Sequence, residues 1–118
     1  MVRRPVSRLP RRHQQGPQPT TPESQIHSAD VIDFLNKNLA SDAIVGTDVG
    51  AALLTGHAMY EQSGSRRFFT SQGLGEMGFG LPGAIGAFFA EKNRQIVCLN
   101  TDGAMMFNLQ ELQLVKEH

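Results

Sequence analysis

Three short segments that combine glycine with polar residues each follow an apolar run, and their residue types could do chemistry. They are Asp48-Val49-Gly50, the glycine-dense segment 72–82, and Thr101-Asp102-Gly103-Ala104. Glycine lets backbone amides approach an anion closely. A carboxylate such as that of Asp102 suits a magnesium ion that bridges phosphate oxygens. The residues therefore predict a site for a phosphorylated cofactor and Mg²⁺.

Three predicted strands would position these segments. Residues 43–47, 67–71 and 95–100 are continuous apolar runs rather than polar-apolar alternations, a pattern typical of parallel strands that are buried on both faces. In such sheets ligands bind at the carboxyl ends of the strands. All three glycine segments are expected at that edge.

Helices are predicted between and around the strands, over residues 28–41, 51–62 and 83–90. Asn108-Leu109-Gln110-Glu111 has the form of a capping box that begins a last helix. The alternation predicts an α/β fold: a partial doubly wound parallel sheet of about three strands with flanking helices.

The N-terminal segment differs from the rest of the chain. Five of the six prolines fall within residues 1–22, and residues 1–25 carry five arginines and one acid. We expect a disordered Pro/Arg-rich linker over 1–25 and a partial cofactor-binding domain over 26–118. The prolines argue against the amphipathic helix of a transit peptide.

Composition excludes several classes of protein. Residues 26–118 hold six basic and ten acidic residues, a poor surface for nucleic acid. The single cysteine, Cys98, cannot form an internal disulfide and is expected to be inert packing in a strand. The longest charge-free apolar stretch, 77–90, is too short for a bilayer and rich in glycine. We expect a cytoplasmic protein without nucleic-acid or membrane partners.

One alternative follows from the glycines alone. Gly73, Gly75 and Gly78 have the spacing of a dinucleotide-binding fingerprint after a strand, with Asp102 as a possible ribose ligand. Against a Rossmann fold, that helix should begin within the loop, which would place Gly80 and Pro82 inside it unless it begins near residue 81.

Longer motifs carry a resemblance. Segment 69–86 (FTSQGLGEMGFGLPGAIG), segment 96–103 (IVCLNTDG) and segment 108–112 (NLQEL) closely resemble the carboxyl-terminal domain of thiamine-diphosphate enzymes of the acetolactate synthase group. The resemblance covers residues 29–118. It implies a truncated cofactor-binding domain whose cofactors are thiamine diphosphate and Mg²⁺.

The resemblance assigns the diphosphate and metal to the third strand's end. Asp102 matches the metal-binding aspartate, and Gly103 and Ala104 match backbone donors to the diphosphate. Thr101 stands where the family usually has a glycine, and the asparagine that completes the metal shell would lie beyond His118. The resemblance therefore implies weak metal and cofactor binding by this chain alone.

The resemblance assigns the rest of the cofactor to the other two strand ends. The Gly75 carbonyl would accept a hydrogen bond from the aminopyrimidine amino group. Met77 would be the wedge that folds the cofactor into a V shape. Val49 and Gly50 match a loop that meets the diphosphate and the substrate side.

The implied function is that of a 2-keto-acid decarboxylase, lyase or synthase, with a small 2-keto acid as substrate of a full-length parent that forms a homo-dimer or homo-tetramer. Ala51 and Ala52 replace a polar pair usual in acetolactate synthases, so the reaction is left open. The family's catalytic glutamate comes from another domain of a neighbouring subunit, so no catalytic residue is assigned and the chain is expected to be inactive alone. The alternative is a non-catalytic binding or interaction module with the same fold.

Overall fold

The computed structural model describes residues 25–118, and the predicted linker over 1–25 lies outside the described residues except for Gln25. Helices and strands alternate through the first three strands. In chain order the elements are α1 (Ser28–Asn38), β1 (Ile44–Thr47), α2 (Ala51–Met59), β2 (Arg67–Thr70), α3 (Gly80–Ala90), β3 (Ile96–Leu99), α4 (Asp102–Met105), a 3₁₀ helix (Met106–Glu111) and α5 (Leu112–Glu117).

The strands form one parallel sheet in the order β2-β1-β3. Thr47 of the central strand pairs with Thr70 on one side and Leu99 on the other, so the three carboxyl ends are level. The predicted α/β fold is confirmed, with a three-stranded parallel sheet and flanking helices. Level strand ends place the three glycine segments at one edge of the sheet.

The core lies around the central strand, all four residues of which are buried. Val45 packs with Leu39 and Ala43 at the centre of this core, and Phe68 of β2 packs against them. A Cβ on Gly46 would lie 2.6 Å from the Phe69 ring. Glycine at position 46 therefore makes room for an aromatic ring across the middle of the sheet.

Helix α3 begins at Gly80, earlier than the predicted start at residue 83. Pro82 lies in its first turn, where a missing N–H is tolerated because those N–H groups have no partner within the helix. The Gly80 N–H donates instead to the carboxylate of Asp48, with an N to O distance of 2.6 Å. The sequence misplaced this boundary because the partner lies 32 residues away.

The predicted capping box at Asn108 is wrong. Asn108 lies within the 3₁₀ helix and departs from helical geometry, with φ −134° and ψ 33°. Its side-chain amide donates to the carbonyl of Gly78, in the glycine-dense segment 72–82, which is called the glycine loop from here on. A long-range contact has replaced the local cap that the sequence pattern indicated.

Arg66 holds the end of α1 to the start of β2. Its guanidinium donates to the backbone carbonyls of Asn36 (3.0 Å) and Ala40 (2.8 Å), and also to that of Leu39. A guanidinium suits such a cluster because it carries five N–H donors in a fixed plane. Carbonyls that the helix leaves unpaired at its end are thereby satisfied.

Candidate functional site

The ends of β1 and β3 contact each other directly. The Thr101 hydroxyl donates to the carbonyl of Val49, with an O to O distance of 3.4 Å. Gly50 has φ +108°, and a Cβ there would lie 3.0 Å from the Thr101 methyl. Thr101 itself is extended (φ −97°, ψ 157°), a conformation that needs no glycine. The threonine at this position therefore fits the loop.

The glycine loop after β2 reaches over the same edge. Gly75 has φ +64°, in the left-handed region that favours glycine. A Cβ built on Gly75 would lie 3.8 Å from Cγ1 of Val49. The Gly75 backbone thus lies near Val49, in the segment that follows β1.

Met77 connects the glycine loop to the Asp102 segment. The terminal methyl of Met77 would be 2.9 Å from a Cβ built on Gly103. Glycine at position 103 lets this methyl approach the backbone, and Met77 is still 45% exposed. The residues predicted for the two halves of one cofactor therefore lie side by side.

The Asp102 segment presents an exposed carboxylate. Oδ1 of Asp102 accepts a hydrogen bond from the N–H of Gly103 at 2.8 Å. Ala104, the next residue, is fully buried in the first turn of α4. The aspartate lies at the surface of the site while the backbone behind it is held in place.

Sequence reasoning placed Asp48 in one of the three segments but assigned it no role of its own. Its side chain is 1% exposed, and its carboxylate accepts from the N–H groups of Gly80 (2.6 Å) and Gly78 (3.0 Å). A buried carboxylate is tolerated when several N–H donors satisfy it. Its position directly after a buried strand was the one indication that the sequence offered.

An open groove of about 490 Å³ adjoins Gly75. Polar side chains of its lining have hydrogen-bond partners: the amide of Gln72 contacts Nε2 of His57, which also lines the groove, and the Ser71 hydroxyl donates to Glu76 outside it. The Ser71 hydrogen bond lowers the pKa of Glu76. The groove is lined by Val49, Leu53, Leu54, His57, Ser71, Gln72 and Gly75.

The remaining titratable group of interest lies within the sheet. Burial raises the pKa of the Cys98 thiol, and the negative charge of Asp48 raises it further. Since the thiolate is the reactive form, Cys98 is poorly suited to act as a nucleophile.

Metal ligation can be stated for the described residues. Between residues 25 and 118 no group of three or more histidine, cysteine, aspartate or glutamate side chains could hold a metal ion. No helix in the same range has the length and apolar character needed to cross a bilayer.

Comparison with known proteins defines the class. The family described as "Thiamine pyrophosphate enzyme, C-terminal TPP binding domain" matches residues 48–118, which is more than half of the chain. The match begins at Asp48 and includes every segment of the site. The chain belongs to this family, whose cofactor is thiamine pyrophosphate, also called thiamine diphosphate.

Several similar proteins are acetolactate synthases. The chain is 39% identical over 95 residues to the acetolactate synthase isozyme 2 large subunit of Escherichia coli, covering 80% of this chain and 17% of that protein. It is 46% identical over 76 residues to the large subunit of Parasynechococcus marenigrum, covering 64% of this chain and 12% of that protein. The chloroplastic acetolactate synthase 1 of Zea mays is 34% identical over 96 residues, 81% of this chain and 15% of that protein. The chain thus spans about an eighth to a sixth of the length of these relatives. The family match favours the thiamine prediction over the Rossmann alternative.

Proposed function

We propose that the chain is the thiamine-diphosphate- and Mg²⁺-binding portion of a 2-keto-acid decarboxylase, lyase or synthase. One observation carries the proposal: the Met77 methyl lies against Gly103. This contact puts the glycine loop and the Asp102 segment within reach of one small molecule. A metal-diphosphate group at one end of that molecule and an aromatic ring at the other would suit the two segments.

At the metal end, Asp102 would supply a carboxylate oxygen to Mg²⁺. The ion favours an octahedron of oxygens and commonly takes one or two carboxylates together with phosphate oxygens. The exposed carboxylate of Asp102 could supply one of these oxygens, and the backbone N–H groups of Gly103 and Ala104 would donate hydrogen bonds to phosphate oxygens. The Gly103 N–H now donates to the Asp102 side chain. It would be free to donate to a diphosphate oxygen when the Asp102 carboxylate binds the metal.

At the other end, Gly75 and Met77 would hold the organic rings. The Gly75 carbonyl would accept from an amino group, and the flexible Met77 side chain would fill the angle between two rings. Val49 and Gly50 would line the side nearest the substrate. Thiamine diphosphate, when bound, supplies a nucleophilic carbon and an electron sink for 2-keto-acid chemistry.

The substrate is proposed only as a class, a small 2-keto acid. Ala51 and Ala52 begin α2 beside Gly50, and neither can donate a side-chain hydrogen bond to a substrate carboxylate. Other parts of a full-length protein would then select the acceptor substrate, the molecule that reacts with the 2-keto-acid-derived group. We therefore propose no particular acceptor.

The surface near the site supports a second copy as partner. Leu74 is 92% exposed, Leu54 70% and Phe107 63%. Large apolar side chains exposed around a site are typical of an interaction surface. We propose that the functional protein is a homo-dimer or homo-tetramer and that the chain alone does not turn over substrate.

Thermal unfolding tests the binding proposal. One metal-binding carboxylate leaves the protein's share of the Mg²⁺ shell incomplete, so we expect no change of melting temperature at micromolar thiamine diphosphate. Millimolar thiamine diphosphate with Mg²⁺ should raise it by about 4–8 °C, the shift for about 1 kcal/mol of stabilisation in a domain of this size. Thiamine, which lacks the diphosphate, is the matched control and should give no rise.

Two outcomes would contradict this account. A dissociation constant in the low micromolar range would mean that the ligand set is already complete in this chain. No rise at millimolar concentration would remove the binding proposal and leave the non-catalytic interaction module.

A further inference from the structure

Gly78 is held through both of its backbone polar groups. Its N–H donates to the carboxylate of Asp48 at 3.0 Å, and its carbonyl accepts from the side-chain amide of Asn108. Asp48 follows β1, whereas Asn108 follows α4. The two peptide groups that flank Gly78 are therefore tied, one to the end of β1 and the other to the segment after Asp102.

The Asp48 end of this connection is rigid. Asp48 is almost fully buried and its own N–H donates to the carbonyl of Leu99 at 3.0 Å. Gly80 approaches so closely that a Cβ there would lie 2.8 Å from the Asp48 backbone nitrogen. The Asp48 carboxylate thus fixes the position of the glycine loop relative to the sheet.

The Asn108 end leaves the helical path to reach the loop. Its φ of −134° and ψ of 33° interrupt the 3₁₀ helix. The space between the glycine loop and the 3₁₀ helix admits only glycine at position 78. A Cβ on Gly78 would lie 2.7 Å from Nδ2 of Asn108 and 2.9 Å from Cβ of Phe107. Gly78 itself has φ +92°. The positive φ of Gly78 and the non-helical backbone of Asn108 together allow the glycine loop and the 3₁₀ helix to pack this closely.

We propose that Asp48 and Asn108 are positioning residues for Met77. They fix the peptide groups on either side of Gly78, the residue that follows Met77, and this places the Met77 methyl against Gly103. The inference deepens the proposed function and rests on it for its purpose, which is to set the separation between the ring-binding loop and the metal-binding segment. Neither residue touches the reacting atoms.

A purely structural role for these residues makes a different prediction. If they only stabilise the fold, their loss lowers the melting temperature but leaves Met77 against Gly103 in the folded molecules. If they position the loop, the contact is lost while the sheet stays intact. The position of the Met77 methyl therefore separates the two roles.

The experiment uses the whole chain with ¹³C-labelled methionine methyl groups. In the unchanged chain we expect a nuclear Overhauser effect between the Met77 methyl and Gly103. Asn108→Ala should abolish it while the far-ultraviolet circular dichroism is retained. Asn38→Ala is the matched control, because its side-chain amide also donates to a backbone carbonyl, that of Phe34 at 2.8 Å, and it should leave the Met77 signal unchanged.

A second variant covers the case in which Asn108→Ala does not fold. Asn108→Asp has the same shape, but at neutral pH its carboxylate cannot donate to the Gly78 carbonyl. It should lose the Met77 to Gly103 effect. Retention of that effect in a folded Asn108 variant overturns the proposal, and so does unfolding of both variants, since either result assigns Asn108 to fold stability.

The readout keeps this inference separate from the proposed function. The Met77 to Gly103 contact is measured without any cofactor, so it tests positioning even if thiamine diphosphate does not bind. If binding is observed, Asn108→Ala should also lose the rise in melting temperature that thiamine diphosphate and Mg²⁺ give. A folded Asn108→Ala chain that kept that rise would contradict a positioning role.

Discussion

Replacement of Asp102 by alanine is expected to abolish the Mg²⁺-dependent rise in melting temperature that thiamine diphosphate gives. Three carboxylates lie in the segments at the strand ends, and the one of Asp102 accepts its hydrogen bond from the N–H of the adjacent Gly103. Asp48 is buried against backbone N–H groups, and Glu76 accepts from the Ser71 hydroxyl. Asp102 is exposed beside Gly103, so it is the carboxylate that can reach a metal bound to a diphosphate.

A matched variant shows whether the effect belongs to the site. Glu91→Ala also removes one exposed carboxylate, but Glu91 caps the far end of α3, about 16 Å along the helix from Gly80 at 1.5 Å per residue. This variant should keep the full rise in melting temperature. An Asp102→Ala chain that kept it too would remove Asp102 from the metal site.

The second large effect is expected at Gly80. In Gly80→Ala the new methyl would lie 2.8 Å from the backbone nitrogen of Asp48 and 2.9 Å from its Cβ. Neither atom is at the end of a flexible side chain, so the glycine loop must move off the Asp48 carboxylate. Overpacking of this kind costs about 1–3 kcal/mol, and a buried hydrogen-bonding group left unpaired adds a similar amount. We expect a loss of at least about 3 kcal/mol in the free energy of unfolding.

The same helix supplies the control. Gly86 also lies in α3, and a Cβ there meets no atom within 4 Å. Gly86→Ala should stabilise the chain by about 0.5–1 kcal/mol, because alanine loses less conformational entropy in a helix. Urea denaturation of both variants measures the difference. Equal effects of the two substitutions would mean that close approach to Asp48 does not decide the role of Gly80.

The fold could be predicted because its elements are visible locally. The apolar runs that predict β1, β2 and β3 are short and continuous. Each observed strand is only one or two residues shorter than its predicted range. The alternation with helices then leaves a parallel sheet as the economical arrangement. Helix ends were less accurate where a distant partner decides them: α3 begins at Gly80 because the Gly80 N–H meets Asp48.

The motif residues of the candidate site could be named from the sequence, whereas the residues that hold the glycine loop in place could not. Val49, Gly50, Gly75, Met77 and Gly103 lie together as the motifs implied, and Ala104 is buried directly after Gly103. Asp48 and Asn108 each contact Gly78 across 30 residues of sequence. Such contacts leave no periodic pattern, and Asn108 even imitates a helix cap. Local reasoning therefore named the residues that the proposal places beside a ligand, and it assigned no role to those that hold the loop.

Site-resolved nuclear magnetic resonance of the ¹⁵N-labelled chain tests the central claim most directly. Addition of thiamine diphosphate and Mg²⁺ together should shift the amide signals of Gly75 and Met77 and also those of Gly103 and Ala104. Ile44, at the opposite end of the sheet, should not shift. Shifts confined to one of the two segments, or absent from both, would contradict a single cofactor held between them.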